Sequence, residues 1–271
     1  MVSNAAREFL DLIKVYDVGY TKRRLGNSGD GGYVVLDEIS RISSRLYSYG
    51  VGNEISFEQA FHSEYPRNHV RLFDHTVEDF YTNHPAFTFT KEGIGQVNRG
   101  DINTLRNHLD RFGDLEVPHK TLKLDIEWAE WDVLNSITLR EPELLTTFDQ
   151  ILCEFHVIPV IYKDSHSPYF TGFHKHVYEQ INIQLFESYK GVLANVLTQY
   201  VPFHVHINNS LPLVKIGEEK LPTLIELSLV KRSLIDTRVM TRSTDTFPIN
   251  GLDFPNKSDR PDIIGYDWNR R

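Results

Sequence analysis

Short apolar runs alternate with amphipathic stretches between residues 45 and 158. The predicted strands are Arg45–Tyr49, Val70–Phe73, Phe87–Thr90, Thr121–Ile126 and Gln150–Phe155. The predicted helices are Glu54–Tyr65, Val77–Tyr81, Thr104–Phe112 and Ala129–Ile137. This alternation is typical of βαβ units, in which crossover helices join parallel strands. The pattern predicts an α/β fold with a doubly wound, Rossmann-like, mostly parallel sheet and helices on both faces.

The flanking segments add an N-terminal helix and further strands. The helix is expected at Ala5–Val18, and a glycine-rich turn then leads into Tyr33–Leu36. A later helix is expected at Phe173–Tyr189, and β-rich runs at Phe203–Ile207 and Thr223–Val230 bring the sheet to seven strands. Residues 238–271, rich in Asp, Pro, Asn and Arg, are predicted to form an extended surface tail.

The length of 271 residues fits one domain, because single cores stop growing at about 250–300 residues. Within it we expect an N-terminal helix and turn (1–44), a cofactor-binding core (45–158), a helix with closing strands (159–237) and the tail (238–271). The only cysteine, Cys153, excludes an internal disulfide and a cysteine-ligated zinc site.

Charge and hydropathy narrow the list of partners. The formal charge is −8, and apart from Lys22-Arg23-Arg24 the basic residues are scattered, so no nucleic-acid partner is expected. No stretch approaches the about 18–20 apolar residues of a membrane span, and no signal-peptide core is evident. A cytoplasmic protein without a membrane span is therefore expected.

A Gly-x-Gly turn follows the first predicted core strand in YSYGVGNE, residues 47–54. Gly50 and Gly52 allow close backbone approach, and the next helix offers free N–H groups to a ligand. Ile55 stands where a dinucleotide fingerprint has its third glycine, and the acid Glu54 would repel a pyrophosphate. A cofactor with a positively charged group therefore fits this turn better than a dinucleotide.

Two further segments are candidates for cofactor contacts. Asp74 ends the second strand in RLFDH, where a carboxylate can accept hydrogen bonds from ribose hydroxyls or can instead cap the following helix. The segment Gly26–Asp37, which contains Asp30 and Gly31, is rich in glycine. It predicts either close ligand approach or a simple hairpin-like turn.

The fourth and fifth strands end in acidic and imidazole side chains. Asp125 follows one strand in LKLDIEWAEWDVL, and Glu154 and His156 share a face of the next in QILCEFHVI. Their convergence predicts a divalent-metal site or a general-base pair, and a structural ion network is the alternative. Much later in the chain, His204, His206 and Asn208 are candidates for lining an acceptor pocket.

Together, LYSYGVGNEISFEQAF, RLFDHT, KLDIEWAEWDVL and ILCEFH resemble the FkbM-type and related families of S-adenosylmethionine-dependent methyltransferases. The similarity spans roughly residues 25–265, and DIEWAEW is its most specific motif. Ser48 and Tyr49 depart from the commoner acidic-x-Gly-x-Gly form of the turn. The resemblance implies methyl transfer with S-adenosylmethionine as cofactor.

The resemblance also implies roles for individual residues. Gly50 and Gly52 would pass under the methionine part of the cofactor, Asp74 would hold the ribose, and the loop around Ile94 would lie near adenine. Asp30 would neutralise the α-ammonium group. Several sugar O-methyltransferases with this sheet place a magnesium-type ion on acids after the fourth and fifth strands. Asp125 and Glu154 match that pattern, and His156 departs from it as a further ligand or base.

The sequence thus predicts an O-methyltransferase acting on a sugar or glycan hydroxyl, assisted by Mg²⁺ or Mn²⁺ at Asp125, Glu154 and His156. Methylation of a protein or small metabolite is an alternative, because the fold does not decide the acceptor. A cofactor-binding scaffold without catalysis is the non-enzymatic alternative, and a nicotinamide dehydrogenase is disfavoured by Glu54 and Ile55.

Overall fold

A seven-stranded sheet forms the centre of the computed structural model, which describes residues 2–77, 84–158, 183–266 and 268. The helices are α1 (Val2–Leu10), α2 (Asp37–Arg41), α3 (Ser56–Glu64), α4 (Leu105–Arg111), α5 (Ala129–Arg140), α6 (Pro142–Leu145) and α7 (Ile183–Gln199). A 3₁₀ turn covers Arg232–Leu234. The strands up to the middle of the chain are β1 (Tyr16–Asp17), β2 (Lys22–Gly26), β3 (Gly32–Leu36), β4 (Arg45–Tyr49), β5 (His69–Phe73), β6 (Phe87–Thr90), β7 (Gly93–Ile94) and β8 (Ile102–Asn103). The later strands are β9 (Lys120–Leu124), β10 (Phe148–His156), β11 (Tyr200–Ile207), β12 (Val214–Ile216), β13 (Glu219–Leu221), β14 (Leu224–Lys231) and β15 (Thr241–Arg242).

The strand order in the sheet is β6-β5-β4-β9-β10-β14-β11. The strands from β6 to β10 are parallel, and β14 is antiparallel to both β10 and β11. From β4 the chain builds outward through β5 and β6, then returns to place β9 on the other side of β4. This reversal leaves a crevice outside the carboxyl ends of β4 and β9, where ligands bind in doubly wound sheets. The predicted fold class is confirmed.

Both faces of the sheet are covered, because successive residues of the strands point to opposite sides. Tyr47 and Tyr49 of β4 join one core with Phe9 of α1 and Trp131 of α5. Leu46, directly before Tyr47, points to the opposite side and joins a second core that includes residues of α3 and the β2–β3 hairpin. Helices α1, α5 and α7 therefore pack on one face, and α3 with the hairpin packs on the other.

The predicted N-terminal helix is too long. It ends at Leu10, because the residues beyond it pair with the C-terminal part of the chain. Strand β1 forms a ladder with β15, and the Ser243 N–H donates to the Val15 carbonyl at 3.0 Å. Tertiary pairing thus overrides the local helical pattern over residues 11–18.

Two other predicted helices lie partly outside the described residues, at positions 78–81 and 173–182. Val77 is not helical, and from Ile183 the chain is helical to Gln199, beyond the predicted end at Tyr189. The glycine-rich segment is a hairpin, as its alternative interpretation held, with Gly26 opposite Gly32. In the described part of the chain, no helix has the length and apolar composition that crossing a membrane requires.

The C-terminal tail has little regular structure, as predicted, yet it is not confined to the surface. Phe247, Asp253, Asn256 and Trp268 are all buried against the rest of the fold. The expectation of a purely superficial tail is therefore wrong at these positions. Its composition gave no indication that polar residues such as Asp253 would have partners inside the molecule.

Candidate active site

The glycine turn after β4 lies in the crevice. Gly50 and Gly52 both have left-handed backbone conformations, with φ of +72° and +50°. A Cβ atom at Gly50 would overlap the backbone carbonyl of Asp125, so glycine is what lets the ends of β4 and β9 approach. A Cβ atom at Gly52 would meet nothing within 4 Å. Gly52 therefore borders open space that a ligand can enter.

Asp74, directly after β5, holds the glycine turn in place. Its Oδ2 accepts a hydrogen bond from the Gly52 N–H at 2.8 Å. Its Oδ1 accepts from the backbone N–H and the hydroxyl of Thr76, at 2.7 and 2.6 Å. A carboxylate offers about four acceptor positions, so three local bonds leave room for one hydroxyl donor. Asp74 thus lies at the end of the second core strand, as predicted, and also holds the backbone of the glycine turn and of Thr76.

The hairpin β2–β3 meets the glycine turn through Gly31 and Glu54. The Glu54 carboxylate accepts from the Ser56 N–H at 2.7 Å and from its hydroxyl at 2.9 Å, at the start of α3. A Cβ atom at Gly31 would overlap this carboxylate. Asp30 is exposed in the same hairpin loop. The structure therefore brings three predicted cofactor residues to one side of the crevice.

Ile94 lies on β7, buried in the same core as Tyr49 and Phe73. The neighbouring Gly93 lies so close to His75 that a Cβ atom there would come within 2.8 Å of the ring Nδ1. Strand β7 thus packs on the loop after β5, next to Asp74. This position agrees with the predicted neighbourhood of Ile94, and its contact with adenine stays a prediction.

Asp125, Glu154 and His156 come together at the ends of β9 and β10. One potential ligand atom from each lies within 4.8 Å of the others, and among the described residues this is the group with metal-ligand geometry. Glu154 and His156 are buried, and the Asp125 side chain is 26% exposed. The predicted convergence is confirmed, while the roles of the three side chains stay predictions.

Both carboxyl groups have a raised pKa. Burial and the neighbouring Asp125 raise the pKa of Glu154 well above its usual range. Burial also raises the pKa of Asp125, although Lys123 and His156 oppose this shift. Asn208, one of the predicted acceptor residues, donates to Glu154 Oε2 at 3.0 Å. The buried carboxylate of Glu154, the partly buried one of Asp125 and an imidazole fit Mn²⁺ or Mg²⁺, because a cation would relieve the repulsion between the two carboxylates.

His156 is held between acidic side chains. Its Nδ1 lies 3.0 Å from Glu130 Oε1, and its Nε2 lies 3.2 Å from Glu127 Oε2 and 3.9 Å from Glu154 Oε1. Burial lowers the pKa of His156, but hydrogen bonds to Glu127 and Glu130 outweigh burial, and the pKa is raised well above its usual range.

Sequence reasoning missed two residues that contact Asp125. The Tyr33 hydroxyl donates to Asp125 Oδ2 at 2.9 Å, and Lys123 Nζ lies 3.7 Å from the same oxygen. Burial lowers the pKa of Lys123, yet Asp125 and Glu58 outweigh it and raise the pKa. Lys123 could have been found, because it lies two residues before Asp125 on one face of the strand. Tyr33, 92 residues earlier, gave no such signal.

His204 and His206 do not join Asp125, Glu154 and His156. His204 Nε2 lies 2.7 Å from Asp253 Oδ1, and His206 lies 3.1 Å from Glu226 and 3.3 Å from Asp262. Both imidazoles are buried, so the structure gives them the role of holding the C-terminal tail. Asn208 alone of the predicted acceptor residues reaches the site, and its contact with an acceptor stays a prediction.

Comparison with known proteins gives no family assignment. No protein-family model matches the chain, and no curated protein matches it significantly, so FkbM-type membership stays a prediction. Solved structures with partial similarity include a candidate rRNA-methylase from Clostridium thermocellum, with 12% identity, 72% of this chain and 92% of the other covered, and a TM-score of 0.33. Another is a cyclopropane-fatty-acyl-phospholipid synthase-like protein from Lactobacillus casei, with 10% identity, 84% and 99% covered, and a TM-score of 0.32. These likenesses are too remote to carry an argument about activity, which rests on the residues of this chain.

Proposed function

We propose that this protein is an S-adenosylmethionine-dependent O-methyltransferase whose acceptor is a hydroxyl of a sugar or glycan. One observation carries the proposal: the glycine turn with Asp74 and the group Asp125, Glu154 and His156 border the same crevice. A site for a cationic, ribose-bearing cofactor thus lies beside side chains that can activate a hydroxyl.

On the cofactor's side, each residue has a task that its position supports. Asp74 has acceptor capacity for a ribose hydroxyl, and Gly52 leaves space for the chain of the cofactor. Asp30 and Glu54 add negative charge where an α-ammonium group would be favoured. A pyrophosphate would be repelled by the same charges, which favours the sulfonium cofactor over NAD.

On the acceptor's side, the chemical problem is the weak acidity of a hydroxyl. Methyl transfer requires the acceptor oxygen, methyl carbon and sulfur in line, with water excluded. A bound Mg²⁺ or Mn²⁺ would supply positive charge that stabilises the developing alkoxide. Asp125, Glu154 and His156 would hold the ion; in the metal-free alternative, Nε2 of an unprotonated His156 would take the departing proton.

A sugar is favoured by the surroundings of His156. The half-buried Trp128 ring lies 5.3 Å from the imidazole, where it offers an aromatic face to an acceptor. The Asn208 amide, at 3.0 Å from Glu154, can orient polar groups at the same place. A protein side chain or a small metabolite with a hydroxyl is the competing acceptor class.

Titration calorimetry tests the cofactor first. S-adenosylmethionine, S-adenosylhomocysteine and NAD are each titrated alone, with Mg²⁺ or Mn²⁺, and with a chelator. We expect heat from both adenosyl sulfur compounds, none from NAD, and a separate metal-dependent heat. Binding without metal dependence would favour a metal-free His156 base, and silence of all three compounds would bring the scaffold alternative forward.

Replacement of His156 tests the acceptor side. We expect His156→Ala to bind S-adenosylmethionine nearly as tightly as the wild type, because His156 does not contact the glycine turn. Formation of S-adenosylhomocysteine with a panel of sugars should fall by a factor of about 10²–10⁴, the usual contribution of a positioned acid or base. Full turnover in this variant would contradict the role of His156. If the wild type methylates only protein or metabolite hydroxyls, the acceptor is not a sugar.

A further inference from the structure

Glu130, in the first turn of α5, connects the two strands that carry the site. Its side chain is completely buried. One oxygen, Oε1, accepts from the Ile126 N–H at 3.0 Å and lies 3.0 Å from His156 Nδ1. Ile126 follows Asp125 directly after β9, and His156 ends β10. A single carboxylate oxygen thus ties the backbone beside Asp125 to the imidazole of His156.

Stability alone does not account for this carboxylate. Its second oxygen, Oε2, is buried and has no hydrogen-bond partner among the described residues. Leaving a buried acceptor unpaired costs about 1–3 kcal/mol. The loop that Glu130 closes also contains Glu127 and Trp128 at φ of 52° and 84°, a conformation that is unfavourable for side chains of this kind. Such features persist where the surroundings hold a functional arrangement in place.

We propose that Glu130 is the positioning residue of the site: it accepts a hydrogen bond from the Nδ1–H of His156 and thereby turns Nε2 toward Glu127 and Glu154, on the side where Asp125 lies. The inference rests on the proposed function, because Nε2 is then the nitrogen that would exchange its contact with the exposed Glu127 for an ion or for the acceptor's proton. Histidines that ligate metals commonly donate their other ring N–H to a carboxylate, which fixes the tautomer and the ring orientation.

The test compares Glu130→Leu, Glu130→Gln and a matched control, Asp132→Asn. Leucine removes the acceptor, and glutamine keeps an acceptor oxygen but removes the charge. Asp132 is exposed on the same helix, so its replacement removes one negative charge there without touching His156. Unfolding curves of all variants establish which of them are folded. If Glu130→Leu does not fold, the comparison of Glu130→Gln with the wild type tests the proposal.

The first measurement uses the protein without added metal or acceptor. In ¹⁵N-edited NMR spectra, the Nδ1 proton of His156 should give a hydrogen-bonded signal, identified by its loss in His156→Ala. We expect the signal in the wild type and Asp132→Asn, a shifted signal in Glu130→Gln, and none in Glu130→Leu. An unchanged signal in both Glu130 variants would overturn the proposal.

The second readout is the affinity for Mn²⁺, measured by calorimetry. We expect Glu130→Leu to bind Mn²⁺ about 10–100-fold more weakly than the wild type, the usual effect of removing such a partner. Glu130→Gln should lose less, and Asp132→Asn should stay near the wild type. If the wild type binds no Mn²⁺, the metal part of the proposed function fails, and the NMR signal still decides the role of Glu130. Wild-type Mn²⁺ affinity in both Glu130 variants would contradict positioning.

Discussion

The two sides of the crevice are built in different ways. The glycine side, formed by Gly50, Gly52 and Asp74, depends on close backbone approach and on N–H groups that donate to one carboxylate. The carboxylate side, formed by Asp125, Glu154 and His156, depends on ionisable side chains that face one another, and the buried pair of Glu226 and His206 adjoins it in the sheet. Glu154 lies opposite Glu226 in the sheet, and Glu226 lies opposite His206.

This difference separates two kinds of sensitivity. Because the glycine side is determined by space, an added methyl group should harm it more than a change of pH. Because the carboxylate side is determined by charge, its stability should change with pH and with the loss of single carboxylates. If a replacement away from the contact between Gly50 and Asp125 disturbed both sides equally, the comparison would fail. The predictions below are ordered by the size of the expected effect, which for the pH dependence is the change per pH unit.

Replacing the two glycines with alanine should have unequal effects. In Gly50→Ala the new Cβ would overlap the Asp125 carbonyl, so the ends of β4 and β9 must separate. We expect this variant to lose about 3 kcal/mol in the free energy of unfolding, measured with urea. Gly52→Ala has free space and should lose only about 1 kcal/mol for its left-handed backbone.

Gly52→Ala should instead weaken the binding of S-adenosylmethionine, because its methyl group enters the space proposed for the cofactor. The check is the affinity of Gly52→Ala for S-adenosylmethionine relative to that of the wild type, both measured by calorimetry. Equal losses of stability in the two variants would show that the contact between Gly50 and Asp125 does not control the junction of β4 and β9.

Loss of Asp253 should release the C-terminal tail. Asp253 Oδ1 pairs with His204, and Oδ2 accepts from the Ile249 N–H at 2.6 Å. We expect Asp253→Ala to lower the free energy of unfolding by about 2 kcal/mol, since the buried His204 and the partly buried Ile249 N–H both lose their acceptor. Limited proteolysis should then cut residues 238–266 first. The exposed Asp259→Ala serves as control, and equal protease resistance of both variants would refute the anchoring role.

The tail also shows where sequence reasoning ended. The βαβ core was predictable because its signal is local: strands β4 and β6 have the predicted bounds, and the alternation of strands and helices predicted that both faces are covered. The pairs His204–Asp253 and His206–Asp262 join residues 49 and 56 apart, with no local pattern to connect them. Such pairs depend on the path of an irregular segment, which hydrophobic periodicity does not specify.

For the site itself, prediction succeeded where residues follow strand ends. Asp125, Glu154 and His156 could be placed together because adjacent parallel strands end at one edge. The partners of Asp125 were harder, since Tyr33 comes from a hairpin outside the main sheet. Glu226 could have been predicted as a buried acid from the sequence, because it is the single acid within the apolar strand LIELSLV. A buried acid in such a strand requires a partner, and here His206 and Asn256 supply it.

The pH dependence of stability should report on His206. Burial lowers the pKa of His206, but Asp262 and Glu226, with Asp253 nearby, raise it to about 10. Because the folded pKa exceeds the unfolded value of about 6.5, its stabilising contribution is complete below pH 6.5 and is lost as the pH rises through 10. We expect the free energy of unfolding to decrease between these values by up to about 1.4 kcal/mol per pH unit. In His206→Gln this slope should become smaller, because only other groups such as His156 then contribute to it, whereas a slope equal to that of the wild type would assign the whole effect to those groups.

The smallest effect on stability is expected for Asp30→Asn, at the hairpin loop beside the glycine side. Asp30 is exposed, so the free energy of unfolding should change by less than about 0.5 kcal/mol. If Asp30 neutralises the α-ammonium group, losing its charge should weaken binding of S-adenosylmethionine roughly tenfold, since bonds to charged groups contribute about 1.5–3 kcal/mol. Adenosine lacks that ammonium group, so its affinity should be unchanged and serves as the control. An equal loss for both compounds would mean that Asp30 shapes the hairpin instead of contacting the cofactor, and the glycine side would then recognise the ribose alone through Asp74.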